Sequence, residues 1–262
     1  MLAAPCPYAA NYSSSGLRSG PCMIQRIKQL VRPYRWLQYM LRNGHLTFEE
    51  LKHGRLHFSQ FGEDVILEAF SPKKKDGFYV DIGAFHPVLL SNTCLFYKKG
   101  WRGINVEPNP YSLQEFHRQR PRDINLNLAV SDKAGFAEFT CDGPCSGLLT
   151  VAEGQVDSTR KRSVVRVETL PLTELLGIHL PEGTEIDFLS IDCEGHDLVV
   201  LQSNNWNKYR PRLVLVEDLS GRVDGDLSGF MKSVGYHFYC KTGLTEFFIE
   251  RGSAEAYLPA VF

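Results

Sequence analysis

The sequence lacks the glycine-rich and cysteine-rich patterns that identify many binding domains. No Gly-x-Gly-x-x-Gly motif occurs among its 22 glycines, so the phosphate-binding turn of a dinucleotide site is not predicted. Its seven cysteines form no Cys-x-x-Cys pair, and an odd, scattered set is typical of reduced thiols rather than of disulfides or a zinc site. No apolar run reaches the length of a membrane span, and no segment resembles a signal peptide.

The sequence also lacks a strong excess of charge. It has 262 residues, with 29 Lys and Arg against 30 Asp and Glu, and 43% of its residues are hydrophobic. A general nucleic-acid-binding protein needs a basic excess to neutralise phosphates, so we expect no nucleic-acid partner. The length fits one large α/β domain with an extension, and the reduced thiols indicate a cytoplasmic protein.

Acidic residues are absent before Glu49, although the first 48 positions contain six Arg and Lys residues. We predict a disordered segment over residues 1–22, a basic helical extension over 23–55 and the main domain over 56–262. Apolar residues recur at helical spacing over 23–42. The extension is expected to pack on the domain or on a second copy of the chain, as in a homo-oligomer. The alternative is a basic interfacial helix that makes peripheral contact with a membrane.

From about residue 56 the pattern alternates between strand and helix, which predicts an α/β fold with a mostly parallel sheet. The predicted parallel strands are Phe78–Ile82, Gly103–Glu107, Ile124–Val130, Asp187–Asp192 and Leu213–Glu217. A helix is predicted over 89–99, and Phe136–Cys141 is predicted to be an edge strand or a hairpin arm. The last two strands, Tyr236–Cys240 and Glu246–Ile249, are joined by too few residues for a crossover helix. They therefore form a terminal antiparallel hairpin, which brings the sheet to seven strands.

Two neighbouring apolar runs each end in an acid. The first, Val80-Asp81-Ile82-Gly83-Ala84, places Asp81 and Gly83 at a strand end, and the second ends at Glu107. Glycine lets the backbone approach a ligand closely, and a carboxylate can accept hydrogen bonds from two ribose hydroxyls. Without a phosphate-binding turn, this pattern predicts a nucleoside ligand that has no pyrophosphate, for which S-adenosylmethionine is the usual example.

A second acidic segment, Asp192-Cys193-Glu194-Gly195-His196, follows the strand over 187–192. Two carboxylates and an imidazole could act as a general base, hold a substrate hydroxyl or bind a divalent cation. Because the carboxyl ends of parallel strands meet at one edge of a sheet, Glu217 is expected to lie nearby. In the plainer alternative, Asp192 only caps the next helix, and His196 is exposed on its first turn.

Six blocks of the sequence resemble, in order, the FkbM-type methyltransferases. They are Ser59-Gln60-Phe61-Gly62-Glu63-Asp64, Val80-Asp81-Ile82-Gly83-Ala84, Ser91-Asn92-Thr93, Gly100 to Asn109, Ala129-Val130-Ser131-Asp132, and Ile186 to His196. The resemblance covers residues 56–250 and implies a class I methyltransferase, Rossmann-like fold. It implies methyl transfer from S-adenosylmethionine, commonly to a hydroxyl of a sugar or polyketide-type product. Many such proteins serve bacterial surface-polysaccharide biosynthesis, so a glycan hydroxyl is the favoured substrate.

The resemblance also implies a set of site residues. The cofactor-binding residues would be Gln60, Asp81, Gly83, Ala84, Ser91, Glu107, Pro108, Asn109, Ala129, Val130 and Asp192. The expected catalytic residues are Asp192, Glu194, His196 and Glu217. Asp192 or His196 would be the base, while Glu194 and Glu217 position the acceptor or, together with Asp192, a Mg²⁺ ion. The chain departs from the family pattern at Phe85-His86-Pro87, where a second glycine is common.

Two other functions remain open at this stage. One is an NAD-dependent nucleotide-sugar oxidoreductase, which the missing glycine motif disfavours. The other is a non-catalytic binding module that retains the fold, which the acids at the strand ends disfavour.

Overall fold

The computed structural model describes residues 53–54, 56–71, 74–142, 145–146, 163–220 and 225–252. The chain divides into two units, Met1–Leu56 and His57–Phe262, and every element described below belongs to the second. The predicted disorder over 1–22 and nearly all of the predicted extension over 23–55 lie outside the described residues. Within the described part, no helix has both the length and the apolar character needed to span a bilayer.

Eleven strands are found in the described residues. They are β1 (Phe78–Ile82), β2 (Arg102–Val106), β3 (Ile124–Leu126), β4 (Leu128–Val130), β5 (Gly135–Asp142), β6 (Cys145–Ser146), β7 (Ser163–Leu170), β8 (Phe188–Ile191), β9 (Leu213–Glu217), β10 (Tyr236–Thr242) and β11 (Thr245–Glu250). Seven of them form the main sheet in the order β10-β11-β9-β8-β1-β2-β3. Strands β9, β8, β1, β2 and β3 are parallel, whereas β11 runs antiparallel to β9 and β10. The predicted fold class, including the terminal hairpin, is confirmed.

Helices cover both faces of the main sheet. They are α1 (Glu63–Phe70), α2 (Cys94–Lys98), α3 (Pro110–Gln119), α4 (Leu172–His179), α5 (Asp197–Gln202) and α6 (Asp226–Ser233). Strand alternation sends Tyr79 into a cluster with residues of α1 and α2, and Val80 into a larger cluster with residues of α4, α5 and α6. Both side chains are fully buried, so β1 is a central strand.

The predicted strand over Ile124–Val130 is wrong as a single strand, because Asn127 divides it into β3 and β4. Strand β3 ends the main sheet, whereas β4 belongs to a second sheet with the order β4-β7-β5-β6. The Asn127 side chain donates to the carbonyl oxygens of Glu107 and Pro108, both at 2.9 Å. These bonds hold the chain at the break. The segment predicted as an edge strand or hairpin arm, Phe136–Cys141, lies in β5 of the smaller sheet.

Candidate active site

The carboxyl end of β1 packs directly against the ends of its two neighbouring strands. Gly83 has a φ of +78°, and a Cβ atom there would lie 1.8 Å from the carbonyl oxygen of Asp192, which follows β8. On the other side, the amides of Gly83 and Ala84 donate to the carbonyl oxygen of Val106 in β2, at 3.0 and 3.1 Å. Only glycine fits this close approach, and the packing brings the three strand ends together.

Glu107 is 5% exposed immediately after β2, and both of its carboxylate oxygens are engaged. Its Oε2 accepts a hydrogen bond from the amide of Phe85, and its Oε1 from the amide of Asn109, both at 2.7 Å. Burial raises the pKa of Glu107 to about 7 against the effect of these two bonds. A carboxylate has about four acceptor positions, so the side chain retains capacity for the two hydroxyls of a ribose.

Asp81 is tied to the protein by a chain of polar side chains. Its Oδ2 accepts a hydrogen bond of 2.8 Å from Thr93 Oγ1, and that oxygen in turn accepts one of 2.6 Å from Nη1 of Arg120. Burial raises the pKa of Asp81, opposed by the Thr93 bond and then by the positive charge of Arg120. Ser91 joins the same network, because its Oγ accepts from Nη2 of Arg120 at 2.7 Å.

Sequence reasoning missed Arg120. An arginine directly after a helix is common and is usually exposed, so no motif distinguishes this one. Arg120 is buried because the connection between β1 and α2 covers it, which is a tertiary contact that the local sequence does not reveal.

Residues 85–87, where the chain departs from the family pattern, form a tight turn that the imidazole of His86 organises. Its Nδ1 accepts hydrogen bonds from the amides of Val88 and Leu89, at 3.1 and 2.9 Å. Phe85 and Leu90, on either side, both adopt positive φ angles, of 54° and 53°. Because Nδ1 must be unprotonated to accept these bonds, the turn needs a neutral imidazole, and burial lowers the pKa of His86 in agreement.

The acidic segment after β8 is a turn and not a continued strand. Strand β8 ends at Ile191, and Glu194 and Gly195 have positive φ angles of 52° and 94°. The carboxylate of Asp197, which is 3% exposed, accepts from the amides of Cys193 and Gly195 at 2.8 and 2.9 Å. Sequence reasoning missed Asp197. It is this residue that holds the turn, while the N-cap position of α5 is occupied by His196, which makes no side-chain cap bond.

The carboxyl groups of Asp192 and Glu217 face each other at the ends of β8 and β9, close enough for each to affect the pKa of the other. Burial, followed by repulsion from Glu194, raises the pKa of Asp192 to about 7. Burial, followed by repulsion from Asp192 and Glu194, raises the pKa of Glu217 to about 9. Glu217 therefore holds a proton at neutral pH. Glu217 Oε2 is buried without a hydrogen-bond partner among the described residues.

His196 is half-buried beside the end of β4. Its Nε2 lies 3.3 Å from Oγ of Ser131, which also donates to Asp132 at 3.2 Å. The imidazole thus connects the acidic turn with the smaller sheet.

The remaining predicted site residues serve local structure in the described contacts. Pro108 is buried, and Asn109 begins α3, where its Oδ1 accepts from the amide of Tyr111 at 3.0 Å. Ala129 and Val130 pack into two different hydrophobic clusters, and Gln60 is exposed ahead of α1. Contact between these residues and a cofactor stays a prediction.

The acids at the strand ends do not form a metal centre in the described part of the chain. No group of three or more His, Cys, Asp or Glu side chains converges there with the geometry to hold an ion. The set proposed for Mg²⁺, Asp192, Glu194 and Glu217, is therefore not supported by the described geometry. Burial also raises the pKa of two of its members, Asp192 and Glu217, which disfavours their ionised forms.

Two cavities, of about 320 and 700 Å³, open at the opposite edge of the main sheet. They are lined by residues near the amino ends of the strands, such as Phe78, Asp187 and Arg212. Ligands of open α/β sheets bind beyond the carboxyl ends, where the acids lie, so neither cavity belongs to the candidate site.

Comparison with known proteins adds a family match. The Methyltransferase FkbM domain matches residues 81–238, which is more than half of the chain. No curated protein matches the sequence. Among solved structures, a TehB-like SAM-dependent methyltransferase from Corynebacterium glutamicum is similar at 11% identity with a TM-score of 0.40, over 83% of this chain and 99% of that one. The METTL16 methyltransferase domain is similar at 11% identity with a TM-score of 0.41, over 71% of this chain and 65% of that one.

Proposed function

The chain belongs to the FkbM methyltransferase family, and on that premise we propose that it methylates a hydroxyl of a sugar, a glycan or a related natural product. As a member of the family it is an S-adenosylmethionine-dependent methyltransferase. The identity of the acceptor and the position of the hydroxyl are parts of the proposal. We favour a glycan of a polysaccharide biosynthesis pathway, as the resemblance in the sequence implies.

One observation carries the choice of a hydroxyl acceptor. Glu217 holds a proton beside Asp192 at neutral pH, and Oε2 of Glu217 is buried without a partner in the described structure. A buried carboxyl oxygen without a partner is costly, and a second hydroxyl of a sugar acceptor, next to the one that is methylated, can donate to it. The raised pKa of Asp192 makes this carboxylate a stronger base than an ordinary aspartate.

The cofactor would be held on the other side of the same strand ends. Glu107 has free acceptor capacity for two ribose hydroxyls, and Asp81 supplies a buried negative charge at the end of β1. When bound, S-adenosylmethionine supplies an electrophilic methyl group on a positively charged sulfur. The enzyme's own residues then have to orient the acceptor hydroxyl and remove its proton.

In this proposal, Asp192 would take the proton of the acceptor hydroxyl while the hydroxyl oxygen bonds to the donated methyl carbon, whose bond to sulfur would break and leave S-adenosylhomocysteine. A sugar hydroxyl is far less acidic than a carboxylic acid, so proton transfer has to accompany bond formation. Protonated Glu217 donates to Asp192 and keeps that carboxylate in place. His196 is the second candidate for the base, because its half-buried imidazole ends the acidic turn and one ring nitrogen of a neutral imidazole can accept a proton.

The test is incubation with labelled S-adenosylmethionine and lysate glycans, followed by mass spectrometry of labelled products. We expect a glycan that gains one methyl group on oxygen. Asp192→Asn should lower turnover by about 100-fold or more with unchanged affinity for S-adenosylhomocysteine. His196→Gln is the matched variant, and full turnover by Asp192→Asn with loss in His196→Gln would move the base to His196.

The alternatives predict different ligands. An oxidoreductase would bind NAD rather than S-adenosylhomocysteine in calorimetry, and a non-catalytic module would yield no methylated product. We also propose that the enzyme works in the cytoplasm. Residues 23–42 would then act either in subunit contact or in peripheral contact with a membrane that carries the substrate.

A further inference from the structure

Arg120 is a buried cation at the end of α3, and it is only 1% exposed. Among the described residues, no carboxylate forms an ion pair with its guanidinium. Burying an arginine is costly unless hydrogen bonds satisfy its five N–H groups. The contacts that satisfy Arg120 therefore indicate its role.

Four hydrogen bonds of the guanidinium go to oxygen atoms in the irregular connection between β1 and α2. Nε donates to the carbonyl oxygen of Pro87 at 2.9 Å, and Nη2 donates to the same oxygen. Nη2 also donates to Ser91 Oγ at 2.7 Å, and Nη1 to Thr93 Oγ1 at 2.6 Å. Arg120 thus fastens three points of this connection to the end of α3.

The Thr93 hydroxyl links Arg120 to Asp81 through two hydrogen bonds. A guanidinium only donates, so the Thr93 oxygen must offer a lone pair to Arg120, which leaves its hydrogen for Oδ2 of Asp81 at 2.8 Å. Arg120 therefore orients the Asp81 carboxylate without forming an ion pair with it. A direct ion pair would consume the charge of Asp81, whereas the hydroxyl bridge leaves that charge largely available to a cationic ligand.

We propose that Arg120 is a positioning residue of the cofactor site, acting through Thr93 to hold Asp81 oriented towards the α-ammonium group of the donor, a group that S-adenosylhomocysteine also carries. This inference rests on the proposed function, because it takes Asp81 as a group that faces S-adenosylmethionine. It adds a residue to which neither the sequence motifs nor the family resemblance gives a role.

The test separates the hydroxyl bridge from the rest of the network. Thr93→Val keeps the shape of the buried side chain but cannot donate to Asp81, while Thr93→Ser keeps the hydroxyl. We expect Thr93→Val to bind S-adenosylhomocysteine at least about tenfold more weakly than wild type in calorimetry, and Thr93→Ser to stay within about threefold. Arg120→Lys keeps the charge but loses the planar fork, and we expect a loss similar to that of Thr93→Val.

The pH profile provides a readout that general loosening of the structure would not move. Asp81 faces Thr93 and Ser190, and its pKa also responds to the charges of Arg120 and Asp123. Thr93→Val removes a bond to the ionised form, so the affinity should decline at a higher pH than in wild type as the pH is lowered. Thermal unfolding without ligand identifies variants that are not folded. If Thr93→Val is not folded, Arg120→Lys tests the inference in its place.

The outcomes of this experiment are distinct. A wild-type protein that does not bind S-adenosylhomocysteine would overturn the proposed function. Tight binding by wild type, together with equal affinity and an equal pH profile in folded Thr93→Val or Arg120→Lys, would overturn only the role of Arg120. Weaker binding in both Thr93→Val and Arg120→Lys, with recovery in Thr93→Ser, supports it.

Discussion

At the scale of single residues, Gly83 and Gly183 allow a matched comparison. Their φ angles are similar, +78° and +71°. A Cβ atom on Gly83 would lie 1.8 Å from the Asp192 carbonyl oxygen, whereas a Cβ atom on Gly183 would have no other atom within 4 Å. We expect Gly183→Ala to lower the free energy of unfolding by about 1 kcal/mol through backbone strain alone. Gly83→Ala should lower it by about 3 kcal/mol or more, since backbone must move as well. Urea denaturation measures both, and equal losses would contradict the packing of the strand ends.

Glu217→Gln tests whether Glu217 is protonated at neutral pH. A glutamine amide donates to Asp192 as protonated Glu217 does, so the variant should keep the contact with Asp192. The pKa of Glu217 is raised in the folded protein to about 9, so wild type should lose stability as the pH rises from about 4.5 towards 9, and Glu217→Gln should lose less. Unfolding midpoints measured across that range provide the check. Parallel profiles for the two proteins would argue against a protonated Glu217.

The residues that sequence analysis located share one property. Asp81 lies near the end of a buried apolar strand, and Glu107 and Asp192 directly follow one, so their positions could be predicted from topology alone. Arg120 and Asp197 could not be, because their roles depend on burial and on partners in other segments or in a turn of unusual backbone. Arg120 bonds to Pro87, which lies 33 positions away.

At the scale of elements, His86 makes the turn after β1 sensitive to acid. Burial lowers its pKa, opposed by Glu115 and assisted by Arg120 and Arg118. Because the folded protein prefers the neutral imidazole, its contribution is complete above the ordinary pKa of about 6.5 and is lost as the pH falls below it. We therefore expect wild type to lose more stability between pH 7 and 5 than His86→Asn, whose side-chain oxygen accepts at any pH.

His86→Ala is the companion variant for the same turn. It leaves the amides of Val88 and Leu89 without their acceptor, and we expect a loss of about 1–2 kcal/mol at pH 7 in urea denaturation. An alanine variant as stable as the asparagine variant would show that the imidazole does not organise the turn.

Element boundaries followed sequence patterns less closely than element order did. The predicted helix over 89–99 is reduced to Cys94–Lys98, because residues before it are held in the connection that Arg120 fastens. The strand over Ile124–Val130 looked continuous because all but its asparagines are apolar or small. Its division at Asn127 depends on bonds to Glu107 and Pro108, which no local pattern reveals.

At the scale of the whole molecule, all the described secondary structure that builds the site lies in the unit His57–Phe262. We expect a chain shortened to residues 57–262 to unfold cooperatively and to bind S-adenosylhomocysteine within about threefold of the full chain. If residues 23–42 contact a membrane, only the full chain should sediment with vesicles that contain anionic lipid. Equal sedimentation of both chains would contradict that role, and loss of binding in the shorter chain would assign the extension to the site.

The break at Asn127 has a consequence for how such an enzyme can diversify. The chain passes from the main sheet into the smaller sheet at this residue. The last long strand of the smaller sheet, β7, then pairs with its first strand, β4, and the Ser131 amide donates to the carbonyl oxygen of Leu170 at 3.1 Å. The hairpin arm between these strands can therefore be lengthened, shortened or exchanged without altering the register of any strand that carries Asp81, Glu107 or Asp192. Evolution, or an engineer grafting an arm from another enzyme, could in this way change the smaller sheet while the strand ends of the main sheet are kept intact.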